Sequence, residues 1–198
     1  MNRYRTILLF GAPGAGKGTV GKALGAVPGF HHLACGDVFR NLDMTTALGR
    51  VFVEYSSKGL LVPDDATVQL WKVTVDARVA AHQYRPGTDL LVLDGIPRNV
   101  AQARFLDEHI EVERVFHLVC NDEDAMIERL RRRALKENRF DDASDEVIRR
   151  RWEVYEAEAQ PVLAHYPAER IETIDALGSP VKVLHDILGR LVPLFDGR

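Results

Sequence analysis

Gly11-Ala12-Pro13-Gly14-Ala15-Gly16-Lys17-Gly18-Thr19 is the stretch on which the reading of this chain turns. The apolar run Ile7-Leu8-Leu9-Phe10 precedes it, too short to span a membrane and right for a buried parallel strand. Val20-Gly21-Lys22-Ala23-Leu24 follows and reads as the start of a helix. Strand, glycine-rich turn and helix together form the context that a phosphate-binding loop requires. Glycines let the backbone curl so that its N–H groups face inward and cradle phosphate oxygens. The helix behind the loop adds unpaired N–H groups and the positive end of its dipole. Lys17 supplies a mobile cation. Gly18 stands where Ser or Thr commonly follows the lysine, and a hydroxyl arrives only at Thr19. A lone glycine pattern would leave an incidental turn as a fair reading. Four glycines with Lys and Thr in this register point to a nucleotide phosphate site.

Working outward, strands alternate with helices. Strands are expected at 6–10, 30–34, 90–94, 112–119 and 170–174, and helices at 17–25, 37–42, 45–57, 64–81, 99–109, 122–135, 144–159 and from Pro180 onward. His31 and His32 are neighbours on a strand, so they face opposite ways and read as ordinary strand histidines rather than metal ligands. The alternation implies an α/β fold, a doubly wound parallel sheet flanked by helices. Leu90-Leu91-Val92-Leu93-Asp94 ends in an acid at the sheet edge where ligands bind in such folds. An Asp there, downstream of a phosphate loop, is suited to organising Mg²⁺, although a helix cap is the bland alternative. Asp37 and Arg40, read alone, are a helix cap and a solvated charge. Arginine far outnumbers lysine and clusters at 129–133 and 149–151. Such runs are usually solvated faces, yet Arg129 and Arg133 share one side of a helix, and Arg is the phosphate-binding cation of choice.

Composition limits the remaining options. The 198 residues suffice for one α/β domain with small inserted lobes. A net charge of −3 offers no global attraction for nucleic acid or a membrane surface, and neither is expected as a partner. Two cysteines, Cys35 and Cys120, make neither a disulfide framework nor a four-cysteine zinc site. A reducing, cytoplasmic setting is the expectation, and no signal-peptide pattern precedes the glycine loop.

These residues resemble the nucleoside monophosphate kinases, most closely those that act on adenylate. The resemblance runs from Thr6 to about Pro161. Gly11–Thr19 is similar to the family's GxPGxGKGT loop, including the glycine after the lysine. Gly36-Asp37-x-x-Arg40 is similar to its GDxxR segment, and Asp94-Gly95-Ile96-Pro97-Arg98 to its DGFPR box, with Ile replacing Phe. Gln102 falls where such enzymes place the glutamine that reads the acceptor adenine. Arg129 and Arg133 match the arginines before the lid, Arg139-x-Asp141-Asp142 the RxDD lid motif, and Arg151 the arginine beyond it, with one residue inserted between.

The resemblance implies reversible Mg²⁺-dependent phosphoryl transfer from ATP to AMP, giving two ADP. It implies a core of 1–34, 66–132 and 143–198, an acceptor lobe at 35–65 and a short lid at 133–142, without structural zinc; a monomer is the family default. It assigns Gly14, Ala15, Gly16, Lys17, Gly18, Thr19 and Arg129 to ATP. Cys35, Gly36, Arg40, Val62, Gly95, Arg98, Gln102, Arg139 and Arg151 fall to AMP, and Asp94 with Asp37 to Mg²⁺ held through water. Lys17, Asp94, Arg98, Arg133, Arg139 and Arg151 are the expected catalytic set. Cys35 departs from the Thr usual before Gly-Asp in adenylate-specific members. Asn99 leans toward a UMP/CMP kinase and Gln102 against it. A nucleotide-binding scaffold without catalysis is the alternative from another class, and retention of Lys17, Asp94 and the lid arginines argues against it.

Overall fold

The computed structural model describes residues 3–120, 122–137 and 144–195. Five strands, β1 (Tyr4–Gly11), β2 (Phe30–Ala34), β3 (Leu90–Asp94), β4 (Ile110–Val119) and β5 (Ile171–Asp175), form one parallel sheet in the order β2-β3-β1-β4-β5. Among the described residues the connecting helices are α1 (Lys17–Gly25), α2 (Cys35–Arg40), α3 (Ala47–Ser56), α4 (Asp64–Ala80), α5 (Val100–Asp107), α6 (Glu123–Glu137), α7 (Asp145–His165) and α8 (Pro180–Leu191). The expected doubly wound α/β class is what the chain adopts.

Alternation along the strands builds a core on each face. Ile7 and Leu9 of β1 pack with Val20 and Leu24 of α1 and with Val183 and Ile187 of α8. Leu8 and Phe10 face the other way, toward Trp71 and Val75 of α4, Leu106 of α5 and Val162 of α7. Both faces of β3 are sealed, and Leu90 through Leu93 are all buried. That is why these strands read as continuous apolar runs rather than alternating ones. His31 and His32 do take opposite faces: His31 stacks on Tyr84, while His32 packs under α1.

Several boundaries differ from expectation. α2 begins at Cys35, two residues before Asp37. α4 starts at Asp64 as expected, with Asp64 and Asp65 in its first turn behind Pro63. β4 starts at Ile110, because it pairs with Tyr4 at the foot of β1. α6 runs through Lys136 and Glu137, both good helix formers, where a loop was expected. α7 continues past Ala159 to His165 with Pro161 inside it. An internal proline costs a helix about 3 kcal/mol. Ala159, Val162, Leu163 and Tyr166 are buried around it, and each large apolar side chain returns roughly 1.5–3 kcal/mol. The rest of the expected lid, 138–142, lies outside the described residues.

α1 approaches β2 closely because of its glycines. A Cβ on Gly21 would stand 2.2 Å from His32 Nε2, and one on Gly25 2.7 Å from His32 Cβ. Gly21→Ala should therefore lower stability by about 1–3 kcal/mol through overpacking, which outweighs the helix-propensity gain of up to about 1 kcal/mol. Gly189 of α8 is exposed with nothing within 4 Å of its own added Cβ, so Gly189→Ala should move stability the opposite way. Thermal unfolding of the two variants checks both signs. An unchanged or raised midpoint for Gly21→Ala would contradict the packing argument.

Candidate active site

Strand register assembles the site. Asp94, the last residue of β3, is level with Leu9 of β1 and with Ala34 of β2. The chain therefore leaves three strands at one sheet edge, as the glycine loop, the Cys35-Gly36 turn and the Asp94-Gly95 turn. Sheet order reverses at β1, which opens a crevice at this edge. Atoms across the three turns nearly touch. A Cβ on Gly18 would lie 3.5 Å from Asp94 Oδ2, and one on Gly95 3.8 Å from the Gly36 nitrogen.

The loop itself depends on Gly11. Its φ is +149°, and a Cβ there would sit 2.5 Å from the Leu118 carbonyl oxygen on β4, so no side chain fits. The chain then turns through Gly14 and Gly16, both at positive φ, and enters α1 at Lys17. Lys17 Nζ donates to the carbonyls of Gly11 (2.6 Å) and Ala12 (3.0 Å). Burial lowers its pKa to about 8, against the attraction of Asp94, and the positive charges of Arg98, Arg133 and Arg151 lower it further. That three arginines act on Lys17 is itself a sign of how the site converges.

Those groups line one cavity of about 720 Å³. All of the expected ATP residues reach it: Gly14, Ala15, Gly16, Lys17, Gly18, Thr19 and Arg129. So do Cys35, Gly36, Asp37, Arg40, Val62, Asp94, Gly95, Arg98, Gln102, Arg133 and Arg151. Arg139, Asp141 and Asp142 lie outside the described residues. Arg129 Nη1 donates to the Ala176 carbonyl (2.9 Å), tying α6 to the turn after β5. Arg98 Nε donates to the Gly95 carbonyl (2.9 Å). Arg40 pairs with Asp37 at 2.5 Å, one helical turn apart on α2. Burial pushes the Cys35 thiol up to about 11, so it stays protonated near neutrality. Arg131 turns outward to Asp145 and Arg150 to Glu153, so parts of both charge runs are the solvated faces that composition alone suggests.

Two features depart from the expectation for the acceptor segment. Gln102 is 1% exposed, and its amide is already engaged: Oε1 accepts from the Arg98 N–H (2.8 Å), and Nε2 donates to Asp64 Oδ1 (2.8 Å). Asn99 has structural work. Its Oδ1 caps α5 by accepting from the Gln102 N–H (2.9 Å), and its Nδ2 donates to Asp64 Oδ1 (2.8 Å). Its presence after Pro97-Arg98 is thus accounted for without a pyrimidine acceptor.

Sequence reasoning missed Tyr155, Arg132, Lys22 and Thr67, which also line the cavity. Tyr155 had a signal, since it lies four residues after Arg151 on α7 and so on the same face. Its hydroxyl meets His117 Nε2 at 3.0 Å, and burial lowers the His117 pKa.

Residues 9–171 match the family model described as adenylate kinase. The adenylate kinase of Thermobifida fusca (strain YX) is 38% identical over 179 residues, covering 87% of this chain and 90% of that protein. That of Maricaulis maris (strain MCS10) is 35% identical over 192 residues, covering 93% and 97%. That of Thermus thermophilus is 34% identical over 189 residues, covering 92% and 95%.

Proposed function

The chain belongs to the adenylate kinase family, and we propose that it transfers the terminal phosphoryl group of ATP to AMP, reversibly, giving two ADP. The observation that carries this reading is the convergence of Lys17, Asp94, Arg98, Arg133 and Arg151 on one cavity beside the glycine loop. The acceptor oxygen of a nucleoside monophosphate is already anionic near neutral pH, so no general base is required. Catalysis reduces to positioning and charge neutralisation of a loose in-line transition state.

In this reading Lys17 and the loop amides hold the donor phosphates, and Arg129 stands by the donor base. Arg40 and Arg98 hold the acceptor phosphate, with Arg40 exchanging Asp37 for the ligand. Arg133, Arg139 and Arg151 close over the transferring group and exclude water. Asp94 abuts the loop with hard oxygen donors of the kind Mg²⁺ takes, and with Asp37 it would hold that ion through water, where it neutralises charge on the phosphates. Asp37 is shared with Arg40, so Asp94 is the better supported of the two. The division into core (1–34, 66–132, 143–198), acceptor lobe (35–65) and lid (133–142) belongs to the same proposal.

Among the described residues no helix is long and apolar enough to cross a membrane. Cys35 and Cys120 are both buried and free. A monomer at work in the cytoplasm, on nucleotides alone, fits these features and the net charge of −3. Sedimentation of the chain with and without nucleotide tests the monomer.

The deciding assay is ADP formation from ATP with AMP, CMP, UMP or GMP, with and without Mg²⁺. AMP should have the highest kcat/KM, and chelation should abolish turnover. Cys35→Thr, which replaces a weak hydrogen-bonding group with a strong one, should sharpen the preference for AMP about fivefold, the worth of one net hydrogen bond. A UMP/CMP kinase would favour a pyrimidine acceptor, and a scaffold without catalysis would form no ADP.

A further inference from the structure

Gln102 has a side chain whose two ends look alike in shape and opposite in chemistry. Free to rotate, a glutamine amide pairs with a base edge of either polarity, because a half-turn exchanges its donor and its acceptor. Here the surroundings distinguish the two orientations. The Arg98 N–H can only donate, and it faces Oε1 at 2.8 Å. Asp64 Oδ1 can only accept when ionised, and it faces Nε2 at 2.8 Å. Turning the amide over would set an N–H against an N–H and a carbonyl oxygen against a carboxylate. Asp64 is itself held, since the same Oδ1 accepts from Asn99 Nδ2 at 2.8 Å, and Asn99 is fixed by capping α5. Asp64 does not line the cavity, whereas Gln102 does.

Each end of the amide spends one hydrogen-bonding position on this network. One N–H and one carbonyl lone pair remain for a ligand in the cavity. Adenine offers an exocyclic amine donor beside a ring-nitrogen acceptor, which is the pattern the locked amide complements. A 6-oxopurine offers an acceptor where the amine stood, against Oε1. With its phosphate gripped by Arg40 and Arg98, such a base cannot turn over to escape the mismatch.

We infer that Asp64 is a positioning residue that sets acceptor-base specificity, by locking the Gln102 amide in the orientation that accepts an amino-substituted base and rejects an oxo-substituted one. The inference rests on the proposed acceptor site and names a determinant within it that touches no substrate. It explains why an acid stands half-buried at the end of the acceptor lobe, at the first position of α4, and why Asn99 is kept beside it.

The test compares AMP with inosine monophosphate, which differ only at the exocyclic group and the adjacent ring nitrogen. The wild type should favour AMP by about tenfold or more in kcat/KM, in the range of one good bidentate base contact. Asp64→Leu keeps the approximate size of the side chain but removes the oxygen that both Gln102 Nε2 and Asn99 Nδ2 meet, so the AMP to IMP ratio should fall at least about fivefold. Gln102→Ala should collapse the ratio, and adding Asp64→Leu to it should change the ratio no further, because the lock then has nothing to hold. A merely structural Asp64 would lower both acceptors in proportion and leave the ratio intact, which would overturn the inference. So would a wild type that uses IMP as well as AMP, a result that stands even if Asp64→Leu does not fold. A wild type that forms no ADP from ATP and any monophosphate would instead overturn the kinase reading on which the inference rests.

Discussion

Lys17→Met should lower kcat by a factor of about 10²–10³ or more, the usual worth of a charge-stabilising donor aimed at a transition state. The fold should survive, as judged by circular dichroism, since Lys17 lines the cavity rather than the apolar core and methionine has a chain of similar length. The mechanism gives Lys17 two tasks, holding donor phosphate in the ground state and following charge as the phosphoryl group moves. Near-normal turnover in the variant would remove both. The burial that lowers the Lys17 pKa to about 8 adds a pH signature. A bound phosphate holds the lysine protonated, whereas the free enzyme loses that proton as pH rises past about 8. Apparent affinity for ATP should therefore weaken above that pH, by at most about tenfold per unit, and calorimetry should show proton uptake on binding.

Stability of the nucleotide-free protein runs the other way. The folded-state pKa of about 8 lies below the ordinary 10.5, so between those values the unfolded chain binds more protons. Stability then rises with pH across that window, and Lys17→Met should flatten the rise. An ATP affinity that is level from pH 7 to 9.5 would show that the lysine is not desolvated as described.

Arg133→Ala should lower kcat by about 10²-fold while moving the KM for AMP far less, because a contact made mainly in the closed, reacting state appears in kcat. Arg133 shares a face of α6 with Arg129, yet the two differ in attachment. Arg129 is bound to the Ala176 carbonyl, and Arg133 stands a turn nearer the lid, where it acts on Lys17. Arg151→Ala, from α7, should behave in the same way. A raised KM with unchanged kcat would make either residue a ground-state binder and refute its place over the transferring group. Rapid ATP hydrolysis without AMP would point to failed exclusion of water rather than lost charge stabilisation.

What the sequence by itself determined is local chemistry and its order. The strand, glycine loop and helix around Lys17 are legible because phosphate binding needs backbone N–H groups at a particular spacing, which only a short run of glycines provides. Asp94 is legible because a continuous apolar run ending in one acid marks the edge of a buried parallel strand. The arginines are legible as candidates only, since a run such as 129–133 looks the same whether solvated or functional. Tertiary structure made the selection, turning Arg131 out to Asp145 and Arg129 and Arg133 in to the cavity.

Long-range contact also decided what no local pattern contains. Register between β1, β2 and β3 brought three separated motifs to one edge. Close packing on His32 made Gly21 a requirement of α1, where propensity would prefer alanine. Burial of Val162 and Leu163 carried α7 through Pro161, because apolar surface removed from water outweighs one lost backbone hydrogen bond. The orientation of the Gln102 amide was decided by Asp64, thirty-eight residues away in the chain. A hydrogen bond has polarity, and only the fold can say which donor faces which acceptor.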